Sequence, residues 1–199
     1  MTPPFRLGLT GSIGMGKSTT ARMLRSRGLP VWDADAAVHR LYDRGGAAVG
    51  PVGALHPPAV SDGQVDRAVL KDWISGDDTA LKRLEKVVHP LVAQDRTAFL
   101  ASSDSDIAVL DIPLLFETGA DASVHAIAVV STDARTQKER VMARAGMTEA
   151  LFYDILSRQT PDAEKRARAD YIIPSDTLEG AEEAVDDMLN DIKRRLGDA

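Results

Sequence analysis

The pattern of apolar and polar residues near the N-terminus predicts a strand, a loop, a helix and a second strand. Residues Phe5–Thr10 are apolar at alternate positions and run into glycines, as expected of a strand that feeds a turn. Residues 17–27 then favour a helix, which Gly28 ends before an apolar run starts at 31–32. This order is typical of an α/β fold.

Further along the chain, two continuous apolar runs predict core strands. They lie at Ile107–Asp111 and 126–130 and resemble strands buried on both faces of a parallel sheet. A last short strand is predicted at 171–173, and apolar residues at helical spacing from 181 to 196 mark one face of a closing helix. We therefore predict an α/β core with a parallel sheet.

Two segments interrupt this core pattern. Glycines and prolines crowd between 45 and 58, and residues 65–100 have helical periodicity that Pro90 is expected to interrupt. Residues 133–168 carry eight basic side chains against six acidic ones, in an otherwise acidic chain. We predict one domain over residues 1–199 with a helical insertion and a basic insertion.

Composition narrows the functional class. The 199 residues are 44% hydrophobic and 27% charged, which is usual for a folded globular protein. The chain has no cysteine, so disulfides, thiolate nucleophiles and cysteine-bound zinc are excluded. The net charge of −6 argues against a nucleic-acid partner. Residues 1–8 lack the features of a signal peptide, and no apolar run could span a membrane, so we expect a cytoplasmic protein without a membrane partner.

Residues 11–18 match the phosphate-binding pattern G-x-x-x-x-G-K-S/T, between a predicted strand and a predicted helix. Glycines let successive backbone N–H groups curl around phosphate oxygens, and the helix N-terminus adds partial positive charge. Lys17 would bind the β and γ phosphates of ATP, and the Ser18 hydroxyl would ligate Mg²⁺. The predicted ATP-binding residues are Gly11, Ser12, Ile13, Gly14, Met15, Gly16, Lys17, Ser18 and Thr19.

Two carboxylates, Asp33 and Asp35, follow the second predicted strand, where open α/β sheets collect functional groups. A carboxylate at position 33 that faces the γ-phosphate would repel a phosphate acceptor. It suits a hydroxyl acceptor, whose proton it can take during phosphoryl transfer. Capping of the next helix is the alternative role, and for Asp35 the choice stays open. This constellation indicates a kinase that acts on an alcohol.

Other charged residues are candidates for the same reaction. Arg140 and Arg144 are one helical turn apart, so we expect both on one helix face, stabilising the transferred phosphoryl group from a mobile lid. Solvated surface is their alternative. Asp111 ends an apolar strand and could hold magnesium, with a cap or turn as the alternative. His89 is a candidate to face the acceptor, with a structural role as its alternative.

Motifs spread over nearly the whole chain resemble those of the dephospho-CoA kinase family. They are GSIGMGKST at 11–19, VWDAD at 31–35, HP at 89–90, DIPLLFE at 111–117, QKERVMAR at 137–144 and AD at 169–170. The resemblance implies a three-layer P-loop NTPase fold, with a five-stranded parallel sheet flanked by helices. It also implies a helical CoA-binding subdomain at 45–100 and a lid at 140–165.

The resemblance further implies transfer of the ATP γ-phosphate to the 3′-hydroxyl of dephospho-CoA, with Mg²⁺ as cofactor. Asp33 would be the base, Lys17 and Arg140 phosphate ligands, and Arg144 a lid arginine. The implied acceptor-binding residues are Asp33, His89, Leu114, Leu115 and Glu117. The partners would be ATP and dephospho-CoA, and we expect a monomer. The segment Ile173-Pro174-Ser175 departs from the family, which often has an asparagine near the adenine after the last strand.

Three other functions are weighed against this one. Another P-loop kinase, for a nucleoside, a nucleotide or a small alcohol, would differ only in its acceptor pocket. A regulatory GTPase normally needs an N/T-K-x-D motif, but the only asparagine is Asn190. A non-catalytic nucleotide-binding module would not need Asp33, Lys17 and Arg140 together.

Overall fold

A computed structural model describes residues 3–197. Its seven strands are β1 Phe5–Thr10, β2 Val31–Asp33, β3 Val60–Ser61, β4 Gln64–Val65, β5 Ile107–Asp111, β6 Ala126–Ser131 and β7 Tyr171–Pro174. Five of them form a parallel sheet in the order β2-β5-β1-β6-β7, and β3 and β4 form a separate antiparallel hairpin. The predicted core strands are confirmed.

Nine helices complete the described residues. They are α1 Lys17–Ser26, α2 Ala34–Tyr42, α3 Val49–Leu55, α4 Arg67–Gly76, α5 Ala80–Ala101, α6 Ala134–Met142, α7 Glu149–Ser157, α8 Asp162–Ala167 and α9 Leu178–Gly197. Short 3-10 helices lie at Pro57–Ala59 and Ala120–Ser123. Asp66 caps α4 and Asp133 caps α6, each accepting two backbone N–H groups. No helix in residues 3–197 is long and apolar enough to cross a bilayer.

The centre of the sheet explains why its strands read as continuous apolar runs. Strand β1 lies between β5 and β6, with Leu9 paired to Asp111 on one side and to Ala128 on the other. All residues of β5 and β6 are buried. Apolar residues of α1 and α9 belong to the same core as these strands. Hydrophobic burial on both faces therefore selects this pattern over simple alternation.

The chain separates into two compact units, and the boundary falls within β2. The first unit contains residues 3–31 and 104–197, and the second is Trp32–Ser103. The second unit has its own apolar core, which consists of Leu41, Ala48, Val52, Ala59, Val65, Leu70, Leu84 and Val88. It begins earlier than the subdomain expected at 45–100. Its role in acceptor binding stays a prediction, as does a lid at 140–165.

The expected break at Pro90 is wrong, because α5 continues through it from Ala80 to Ala101. Proline removes one backbone N–H donor and usually kinks or ends a helix. Here Leu84 and Val88 before it, and Leu91 and Val92 after it, pack into the same apolar cluster. Side-chain burial on both sides of Pro90 keeps the two halves in one helix.

Candidate active site

The loop between β1 and α1 is tightly curled and packs against α6. Its glycines Gly14 and Gly16 have φ of +81° and +93°, a region that side chains rarely adopt. A Cβ on Gly14 would lie 2.5 Å from Val141 Cγ2 and 2.9 Å from the Gln137 carbonyl oxygen. Conformation and space therefore both require glycine at this position.

The N-terminus of α1 is open to an anion. Gly16 is its N-cap residue, and no side chain of the described residues caps the helix there. Uncapped first-turn N–H groups and the helix dipole together favour a bound phosphate. The backbone of this loop is therefore suited to a nucleotide phosphate chain, as its sequence predicts.

The structure brings two predicted site residues together at the start of α1. The ammonium of Lys17 forms a salt bridge with the carboxylate of Asp111, the last residue of β5. Asp111 is buried, so this contact balances its charge where water is largely excluded. The phosphate-loop lysine and the carboxylate expected to hold magnesium thus belong to one site.

The residues around Lys17 suit a magnesium ion bound together with phosphates. Ser18 is exposed in the first turn of α1, and Asp111 supplies a carboxylate. Among residues 3–197, no group of three or more His, Cys, Asp and Glu side chains could hold a metal by itself. Mg²⁺ usually takes one or two protein oxygens, with phosphates and waters as its other ligands. The Ser18 hydroxyl and the Asp111 carboxylate fit that requirement.

Arg140 lies beside the loop and is held there by Ser175. Its Nη1 donates to Ser175 Oγ at 3.0 Å, and its Nη2 donates to the Ser175 carbonyl oxygen at 2.6 Å. Ser175 Oγ in turn donates to the Met15 carbonyl oxygen at 2.7 Å. Ser175 therefore ties Arg140 to the phosphate loop.

The expectation that Arg140 and Arg144 share one helix face is wrong. Helix α6 ends at Met142, and Arg144 lies beyond the C-cap residue Ala143. The backbone there tightens into a turn, and Gly146 follows with φ of +76°. Arg144 is exposed, and its role as a lid arginine stays a prediction.

The motif at 111–117 has a buried part and an exposed part. Leu115 is fully buried and Leu114 is exposed, so only Leu114 presents its side chain at the surface. Glu117 Oε1 lies 2.9 Å from the Nζ of the fully buried Lys165 and accepts the Thr160 N–H at 2.7 Å. Burial by itself would raise the pKa of Glu117, but Lys165 and the backbone donors outweigh it and lower that pKa. Glu117 is therefore ionised and anchors the segment that contains Thr160 and Lys165.

Two predicted residues, Asp33 and His89, lie in the second unit. Asp33 caps α2, because its Oδ1 accepts the Ala36 N–H at 2.9 Å, whereas Asp35 lies in the first turn of that helix. Capping therefore belongs to Asp33 and not to Asp35. Trp32, before Asp33, donates from Nε1 to Asp95 at 2.7 Å. His89 is exposed on α5.

The comparisons with known proteins agree with this geometry. A sequence model of the dephospho-CoA kinase family matches residues 5–179. A dephospho-CoA kinase of Cereibacter sphaeroides is 57% identical over 190 residues, which cover 96% of each chain. The chain belongs to the dephospho-CoA kinase family.

Two solved structures resemble this member of the dephospho-CoA kinase family. A protein of Thermus thermophilus superposes with a TM-score of 0.85 at 34% identity, covering 98% of this chain and 99% of the other. A dephospho-CoA kinase of Campylobacter jejuni has the same fold, with a TM-score of 0.65 at 21% identity and coverage of 94% and 96%. The predicted three-layer α/β P-loop kinase fold is confirmed, and the chain is an ATP-dependent phosphotransferase.

Sequence reasoning missed some residues that contact the phosphate loop of this kinase. Gln137 Nε2 donates to the Ile13 carbonyl oxygen at 2.8 Å, and Gln159 Oε1 accepts the Ile13 N–H at 3.1 Å. Gln137 is the first residue of the motif QKERVMAR at 137–144, so the sequence contained a signal that could have identified it. Nothing in the sequence marks Gln159, because its partner is 146 residues away.

Proposed function

We propose that this chain transfers the γ-phosphate of ATP to the 3′-hydroxyl of dephospho-CoA, giving CoA and ADP. The observation that carries the proposal is an intact phosphate loop in a chain 57% identical to a dephospho-CoA kinase. We further propose a cytoplasmic monomer that acts on small molecules and not on nucleic acid. The net charge of −6 argues against a nucleic-acid partner. The lack of cysteine, and so of disulfides, supports a cytoplasmic location.

In the proposed mechanism, the phosphate loop and Lys17 bind the β and γ phosphates of ATP. The loop N–H groups supply donors fixed before the reaction, which is what makes such sites effective on developing charge. Ser18 and Asp111 would hold Mg²⁺, which when bound neutralises charge on the phosphates. Arg140, tied to Ser175, and Arg144, in the proposed lid at 140–165, would add positive charge to the transferred phosphoryl group.

Asp33 is the proposed catalytic base. Its capping bond to Ala36 N–H fixes the orientation of its carboxylate at the end of β2. The carboxylate would accept the proton of the acceptor hydroxyl as the new O–P bond forms. The bond between the γ-phosphorus and the β–γ bridging oxygen then breaks, and ADP leaves. The proposed acceptor-binding residues are Asp33, His89, Leu114, Leu115 and Glu117, together with the subdomain at 45–100. Leu115 would contribute through its backbone, because its side chain is fully buried.

The test measures Mg²⁺-dependent ADP release with dephospho-CoA, AMP, adenosine or no acceptor, and identifies the product by mass. We expect turnover only with dephospho-CoA. Asp33→Asn should lower kcat about 10²- to 10⁴-fold, the usual contribution of a positioned base. Its Tm should be unchanged, because asparagine caps helices as well as aspartate. Asp35→Asn is the matched control and should stay active.

Each part of the proposal has its own contrary result. An inert dephospho-CoA with another acceptor active would exclude the proposed acceptor and favour a related P-loop kinase. Retained activity in Asp33→Asn would exclude this residue as the base. Loss of activity in Asp35→Asn equal to that in Asp33→Asn would mean that the start of α2 matters as a whole.

A further inference from the structure

Ile13, at the tip of the phosphate loop, is bound at both its N–H and its carbonyl group by glutamine side chains. Gln159 Oε1 accepts the Ile13 N–H at 3.1 Å, and Gln137 Nε2 donates to the Ile13 carbonyl oxygen at 2.8 Å. Gln137 is buried on α6, and Gln159 follows α7. Two separate elements therefore fix the orientation of the backbone at Ile13.

Gln159 is itself held firmly by the chain around it. Its own N–H donates to the Leu156 carbonyl oxygen at 3.0 Å, at the end of α7. The N–H of the next residue, Thr160, donates to Glu117 at 2.7 Å, and Glu117 is paired with the buried Lys165 of α8. The connection between α7 and α8 thus joins the loop after β5 to the tip of the phosphate loop.

We propose that Gln159 is a positioning residue that keeps the phosphate loop in its ATP-binding shape, with Gln137 as its counterpart. Gly14 follows Ile13 at a φ of +81°, so the backbone there has freedom that an L side chain would remove. If the peptide groups at Ile13 rotated, a carbonyl oxygen could turn toward the phosphates and repel them. Hydrogen bonds on both the N–H and the carbonyl oppose that rotation. Donors that are preorganised in this way bind phosphate without a cost of rearrangement.

The experiment compares Gln159→Met with the unaltered enzyme, since methionine keeps the length of the side chain and removes its acceptor. We measure the Kd of ATP by calorimetry and the KM of each substrate. We expect the Kd and KM for ATP to rise about three- to tenfold, the effect of losing one hydrogen bond. The KM for dephospho-CoA should stay the same. Glu183→Met, at an exposed residue of α9 outside the proposed ATP and acceptor sites, is the control and should change neither value.

Gln137→Met removes the other side-chain hydrogen bond to the Ile13 backbone and should also raise the Kd of ATP. In the double variant the two effects should not add, because both bonds hold one loop residue. Unchanged ATP binding in both single variants would overturn the inference. So would an equal rise in KM for both substrates, which would indicate general loosening. The inference rests on the proposed ATP site: if the unaltered protein does not bind ATP, the proposed function fails as well.

Discussion

Replacement of Glu117 by glutamine is expected to destabilise the fold, because it leaves the Lys165 ammonium buried without a counter-charge. The side chain of Lys165 is 0% exposed and that of Glu117 is 15% exposed, with 2.9 Å between Nζ and Oε1. The two groups form a salt bridge in a largely buried setting, so the attraction between their charges is what the substitution tests. Glutamine keeps the shape and an oxygen for the Thr160 N–H, so Glu117→Gln removes the charge alone.

The size of the effect follows from the geometry of this pair. Unit charges 2.9 Å apart attract by roughly 6 kcal/mol at an effective dielectric constant of about 20. Breaking a buried ion pair at one partner costs about 3–5 kcal/mol. We expect about 3 kcal/mol for Glu117→Gln, because the amide oxygen still faces Lys165. For a chain of this size that loss lowers Tm by roughly 6–12 °C.

The assay is urea unfolding at pH 7, with Asp154→Asn as the control. Asp154 pairs with Arg158 at the surface, where the side chains are 49% and 76% exposed, so its loss should cost less than about 0.5 kcal/mol. A free energy of unfolding for Glu117→Gln within about 1 kcal/mol of the unaltered protein would refute the reasoning, because breaking a buried pair costs more.

The same comparison predicts a dependence on pH. The pKa of Glu117 is lower in the folded protein than its ordinary value, so its ionised form stabilises the fold. That contribution is fully present above the unfolded pKa of about 4.3 and is lost as the pH falls through the folded pKa. The difference in unfolding free energy between Glu117→Gln and the unaltered protein should therefore shrink as the pH falls below about 4.3. A constant difference would contradict the assignment of the effect to this carboxylate.

Two further predictions concern the phosphate loop. Gly14→Ala should cost about 1–3 kcal/mol more than Gly119→Ala, since both have positive φ but only Gly14 would meet Val141 Cγ2 at 2.5 Å; equal costs in urea unfolding would contradict this. Lys17→Met should lower kcat/KM for ATP about 10²- to 10³-fold, because it removes a fixed charge from the phosphates; ADP release within tenfold of the unaltered enzyme would count against that role.

The strands were predictable from sequence more accurately than the helix ends. Ile107–Asp111 has the predicted bounds, because burial on both faces demands an unbroken apolar run. The predicted helix break at Pro90 is wrong because the local effect of proline on the backbone is outweighed by side-chain packing on both sides of it. The prediction that Arg140 and Arg144 share one helix face is wrong because helical spacing alone does not reveal that α6 ends at Met142. Local rules thus failed where distant packing or a turn decided the outcome.

The sequence by itself determined the phosphate loop, the α/β order and the resemblance to dephospho-CoA kinases, because these depend on residues adjacent in the chain. Only the tertiary structure decided which side chains meet. Lys17 and Asp111 are 94 residues apart, and Ile13 and Gln159 are 146 residues apart. The packing of strands and helices brings such partners together, and short-range sequence patterns do not indicate which distant residues will meet. The burial of Lys165 also depends on the tertiary structure, because its charge is tolerated there only where the fold brings Glu117 beside it.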